Sequence, residues 1–119
     1  MTSKNIMINE IKSLQELIDV VDSLFKCDEN VYWKLKFLPK EKWDVEIISH
    51  SSRHLTKSAG KLAALCESVE HGASFDKETA KDITFSALAT VLKNASMLGL
   101  TAADLFEQVP KKLKYNPNK

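Results

Sequence analysis

Three groups of side chains have the types and spacing to do chemistry. Glu46, His50 and His54 recur every four residues, so a continuous helix would set a carboxylate and two imidazoles on one face, a donor set that suits a transition metal. Ser49, Ser51 and Ser52 lie among them, and serines are favoured at helix starts. A break between Glu46 and His54 is therefore expected, which leaves the histidines as surface or helix-end residues. Glu67 with Glu70, and Glu78 with Asp82, are acids about one turn apart that two facing helices would converge on Mg²⁺. Their ordinary charged spacing at helix ends reads more simply as solvated surface. Lys57 and Lys61, with Lys111, Lys112 and Lys114 of the tail, carry the charge to hold a phosphate, although the first two fall almost opposite the apolar stripe of their helix.

A fourth, looser mixture is Tyr32, Trp33, Lys34, Lys36 and Phe37, the combination that stacks on bases and neutralises phosphates. The chain as a whole does not support that use. Seventeen Lys and Arg against 16 Asp and Glu give a net charge of +1, spread as −1, 0 and +2 over residues 1–38, 39–75 and 76–119. No whole-molecule field draws in DNA, RNA or an anionic membrane, so the aromatics are expected to pack against the fold. The chain carries no Walker A loop, GxGxxG turn, GxSxG elbow or Cys/His nucleophile pair. Cys27 and Cys66 have no metal-ligand spacing and adjoin apolar stripes, the pattern of buried reduced thiols.

The elements that must position these residues are helical. Ile11, Leu14, Ile18, Val21 and Phe25 recur at steps of three and four and mark a helix from about Asn9 to Lys26, with Ser13 and Glu16 as a capping box that would start it later. Residues 28–42 read as a connection with one short extended or helical piece. A second helix is expected from about Ser52 to Glu70, packing through Leu55, Ala59, Leu62, Cys66 and Val69 and stopped by Gly72. Asp76 can cap a third that runs to Met97 before Gly99. Its apolar residues, Ile83, Phe85, Ala87, Leu88, Val91 and Leu92 among them, cover well over half the circumference, so it must be covered on more than one side. Thr101 and Asp104 box the start of a fourth helix, which Pro110 ends or kinks.

With 119 residues, 44% of them hydrophobic, and three Gly and three Pro, the chain reads as one all-α domain, a bundle of four or more helices. So short a chain has little material to wrap the third helix, and a homodimer or higher homo-oligomer is expected. The longest apolar runs are far short of a membrane span and the MTSKNIMINE terminus lacks a leader-like core, which predicts a cytoplasmic protein.

The order of features also resembles a known family. Trp43 and Asp44 precede the helix HLTKSAGKLAALCESVEHG; DITFSALATVLKNASMLGL follows; then come TAADLFEQV and a basic tail with Tyr115, Asn116 and Pro117. Residues 43–117 thus resemble the MazG-like, all-α nucleoside triphosphate pyrophosphohydrolases, and residues 1–38 add a helix and its connection. The resemblance implies dimers or tetramers whose helices pack between subunits. It also implies cleavage of nucleoside triphosphates to monophosphate and pyrophosphate, with Mg²⁺ held by E-E-x-x-E on one helix and E-x-x-D on the next. Leu55, Gly60, Leu62 and Ala63, and then Leu98, Gly99 and Leu100, match the hydrophobic frame.

The acids do not follow. In that register the glutamates fall on Lys57, Ser58 and Lys61, and Ile83 and Ser86 stand where Glu and Asp are expected. Ammonium groups in place of carboxylates turn attraction for a dication into repulsion. The expected function is accordingly that of a non-catalytic member of the fold, acting through oligomerisation and partner or nucleotide binding, with no resident cofactor. On that reading Lys57 and Lys61 would meet phosphates, Trp43 the base, and Lys112 or Tyr115 would close the site from the tail. Two alternatives stand beside it: an active pyrophosphohydrolase whose Mg²⁺ ligands have moved to Glu67, Glu70, Glu78 and Asp82, and an all-α adaptor unrelated to nucleotides.

Overall fold

The computed structural model describes residues 10–118, which are helical with no β-strand. Four helices follow one another as α1 (Leu14–Leu24), α2 (Trp43–Glu70), α3 (Lys77–Met97) and α4 (Ala102–Lys112), and two 3-10 turns, Trp33–Phe37 and Lys40–Lys42, join α1 to α2. No single described helix is long and apolar enough to cross a membrane.

The helix ends follow local chemistry. Ser13 caps α1 by accepting from the Glu16 amide, so the helix begins at Leu14, and the expected start near Asn9 lies outside the described residues. Asp76 accepts from the Thr79 amide and starts α3, while Thr101 and Asp104 form the reciprocal box that starts α4. Gly72 and Gly99 take positive φ (98° and 73°) after α2 and α3. In each case the next amide reaches back to close the last turn, Ala73 to the Ser68 carbonyl and Leu100 to that of Ala95. Lys114 adopts the same left-handed geometry after α4, which runs past Pro110 to Lys112 instead of ending there.

The expected break before His54 is absent, and α2 starts nine residues earlier than its serines indicate. Ser52 and the threonine that follows bond backwards within the helix: Ser52 donates to the Ser49 carbonyl at 2.8 Å and Thr56 to that of Ser52 at 2.9 Å. The start is instead marked by Asp44 and Glu46 in the first turn, where carboxylates meet the positive end of the helix dipole. The indole N–H of Trp43 donates to both the Leu35 and Leu38 carbonyls, at 3.1 and 3.2 Å, and pins the preceding 3-10 turn.

Helix α3 lies against both α2 and α1, and α4 returns to α1. One core joins Ile18 and Val21 of α1, Leu92 of α3 and Ala102 of α4, flanked by Leu14, Leu17 and Leu105. Gln15 accepts from the Ala102 amide at 2.8 Å and fastens α1 to the start of α4. Leu35 and Ile47 are fully buried. Along α2 the covered stripe is Ile47, Ser51, Leu55, Ser58, Leu62 and Leu65. Ala59, Cys66 and Val69, expected to pack inward, are exposed because they belong to the adjacent stripe. Both thiols are free, but Cys66 is exposed and Cys27 only half-buried. Trp33 and Phe37 also face solvent instead of the bundle, stacked edge to face at 6.1 Å.

Leu92→Ala, which opens the core shared by three helices, is expected to lower unfolding free energy by about 2 to 5 kcal/mol. Val45→Ala on the exposed side of α2 should change it by less than about 0.5 kcal/mol. Urea denaturation followed by circular dichroism checks both.

Candidate functional site

A cleft of about 380 Å³ opens between α2 and α3 beneath the connection that follows α1. Its size falls in the range of small-molecule sites. Continuous α2 supplies His50, Ser51 and His54; α3 supplies Ser86, Ala89, Thr90 and Lys93; the connection supplies Phe25, Val31 and Tyr32. Four hydroxyl side chains, two imidazoles and one ammonium line it, with no carboxylate among them.

The two imidazoles touch. Their Nε2 atoms are 3.0 Å apart, so one ring donates and the other accepts when both are neutral. Tyr32 packs edge-on against His50 at 5.5 Å between centroids. Burial is the main cause that holds the His50 pKa below its ordinary value; His54, Arg53 and Lys34 push the same way and Glu46 opposes them. Burial raises the Tyr32 phenol above its usual range. Although Glu46, His50 and His54 now share one helix, no three His, Cys, Asp or Glu among the described residues are grouped to hold a metal ion.

Lys93 is the least ordinary member. It is 4% exposed, donates to the Phe25 carbonyl, and has Asp22 Oδ1 at 3.7 Å. Burial lowers its pKa, and the Asp22 carboxylate pulls in the opposite direction. It is the single charged residue of α3 after Asp82, a signal readable in the sequence, but its burial depends on where α1 and α2 lie.

None of the residues expected to contact a nucleotide lines this cleft. Trp43 has its indole N–H engaged, as described, and Lys40 sits 5.7 Å from its ring centroid. Lys57 and Lys61 are exposed on α2 and do not line the cleft. Lys112 ends α4, and exposed Tyr115 lies just past it. Two of the acids considered for Mg²⁺ have local partners: Glu67 is 3.7 Å from His71 and Glu78 is 3.1 Å from Lys81. Glu67, Glu70, Glu78 and Asp82 do not form a metal-binding group among the described residues.

No family model matches the chain, and no curated protein or solved structure matches it.

The lowered pKa of His50 fixes a sign. As pH falls below about 6.5, the unfolded chain binds a proton at this position before the folded chain does. Stability is therefore expected to decline on acidification through that range. His50→Asn should flatten the decline, read as urea midpoints at pH 7.5 and 5.5; an unchanged slope in the variant would contradict the assignment.

Proposed function

We propose that this chain is a non-catalytic, MazG-like helical protein that works as a homo-oligomer, a dimer or higher, in the cytoplasm. The observation that carries the proposal is the uncovered apolar side of α3, where Phe85, Leu88 and Val91 stand 68%, 49% and 46% exposed. Phe106 and Val109 of α4, with Leu113 just past its end, are also exposed apolar residues. Single exposed apolar residues are ordinary on a protein surface, but runs of this kind along a helix are not.

The areas support the same reading. The chain exposes 9255 Å², where a compact monomer of 13.4 kDa exposes about 6,500 Å². Its radius of gyration is 17.3 Å, where a compact domain of this length has about 13.5 Å. The surplus surface exceeds what each partner contributes to a standard interface, about 800 Å². A second copy of the chain fits the role because each copy carries the same unmet demand, and a two-fold arrangement would cover both α3 helices at once. The non-catalytic part of the reading rests on the sequence, where Lys57, Lys61, Ile83 and Ser86 stand in the register of the family's metal-binding acids.

Analytical ultracentrifugation at tens of micromolar should give a mass that is a multiple of 13.4 kDa. Phe85→Glu combined with Leu88→Glu should shift it to a helical monomer, because a carboxylate cannot be buried unpaired at an apolar contact. A wild-type monomer at 100 micromolar would overturn the proposal.

A further inference from the structure

The cleft between α2 and α3 contains a cation that the fold has withdrawn from water and only loosely neutralised. The side chain of Lys93 is 5% exposed, while its nearest carboxylate, Asp22, is 3.7 Å away and itself 57% exposed. An ammonium group has three donors. The Phe25 carbonyl accepts from one, and Asp22 at 3.7 Å attracts the charge from beyond hydrogen-bond reach. A buried charge held this way is costly unless something else completes its shell.

Both helices that bound the cleft supply matching groups. Ser51 of α2 is 3% exposed and lines the cleft, with a hydroxyl that can donate into it. Ser86 of α3 lines the same cleft and adds a second hydroxyl. His50 and His54 together hold at least one ring N–H on the α2 side. All of these groups can donate, and no acid lines the cleft to repel an anion. Phe25, Val31 and Ala89 make the remaining surface apolar.

We propose that this cleft binds a small organic anion without a metal, its charged head against Lys93, Ser51 and Ser86 and its apolar body against Phe25 and Val31. Phosphate and carboxylate heads share the required chemistry: compact negative oxygens that accept from several directions. The donors come from the two helices that bound the cleft, so they suit a head that accepts from more than one side. The site is separate from the oligomer contact on α3, and it does not use Lys57 or Lys61.

Calorimetric titration of the full chain at pH 7 in EDTA, with phenyl phosphate, benzoate and benzylamine as probes, tests the proposal. At least one of the two anions should bind once per chain with a dissociation constant of millimolar or tighter, and the stronger identifies the head group; benzylamine, of similar size and opposite charge, should give no binding heat. Lys93→Met keeps an apolar stem of similar length and should weaken the anion at least tenfold. Ala89→Trp fills the cleft from an exposed helix position, leaves Lys93 in place and should have the same effect, so it decides the matter if the lysine variant does not fold. Absence of binding by both anions, equal binding of benzylamine, or binding that survives Ala89→Trp would each overturn the proposal. So would binding that persists in Lys93→Met and is lost in Lys57→Ala, which would place the anion on the exposed face of α2.

Discussion

The fold depends on how α3 is covered. Its side chains are apolar around most of the circumference, and the chain provides two covering elements, α1 over the end that carries Leu92 and α2 along its length. Every other feature follows from that geometry. α1 is held in place by the contact of Ile18 and Val21 with Leu92 and by the bond from Gln15 to the first residue of α4. α2, which is 28 residues long and unbroken, makes the more extensive of the two contacts with α3. What the two helices leave uncovered, Phe85, Leu88 and Val91, is the part a second copy is proposed to take. The fully buried side chains are few, and a domain of this size has only a narrow margin between burial and conformational entropy.

The same arrangement makes the cleft. Where Leu55, Leu62 and Leu65 of α2 approach α3, the covered stripe is mainly apolar; one to two turns nearer the start of α2 it changes to Ser51 with His50 and His54 alongside. α3 changes in step, from Ile83 and Ala87 to Thr90 and Lys93. Small hydroxyl side chains leave space between helices that larger apolar ones would fill. A lysine in such a space has an apolar stem that packs and a charged end that must be satisfied. Asp22 satisfies it in part, and an anion in the cleft would supply the rest.

Much of this was legible residue by residue, and the limits have physical causes. The caps at Ser13, Asp76 and Thr101 and the stops at Gly72 and Gly99 could be read because capping involves atoms three or four residues apart. The serines do not mark the start of α2 because a serine is equally at home at a cap and inside a helix, where Ser52 bonds to a carbonyl one turn back; Trp43 against Leu35 and Leu38 decides the start. The stripe on which α2 packs was off by one position, since Leu55 and Leu62 belong to both candidate faces and the position of α3 selects between them. The cleft was only partly visible. His50 and His54 stood out by spacing, but Lys93 and Ser51 look ordinary in sequence, and their burial is set by residues far along the chain.

The central claim is that the outer side of α3 is covered in the working protein. Solvent paramagnetic relaxation of methyl groups in the wild-type chain measures this directly, because a soluble paramagnet relaxes only the methyls it can approach. The account predicts that Leu88 and Val91 are shielded almost as well as Leu92 of the core. Relaxation of Leu88 and Val91 as fast as that of exposed Val45 would contradict it.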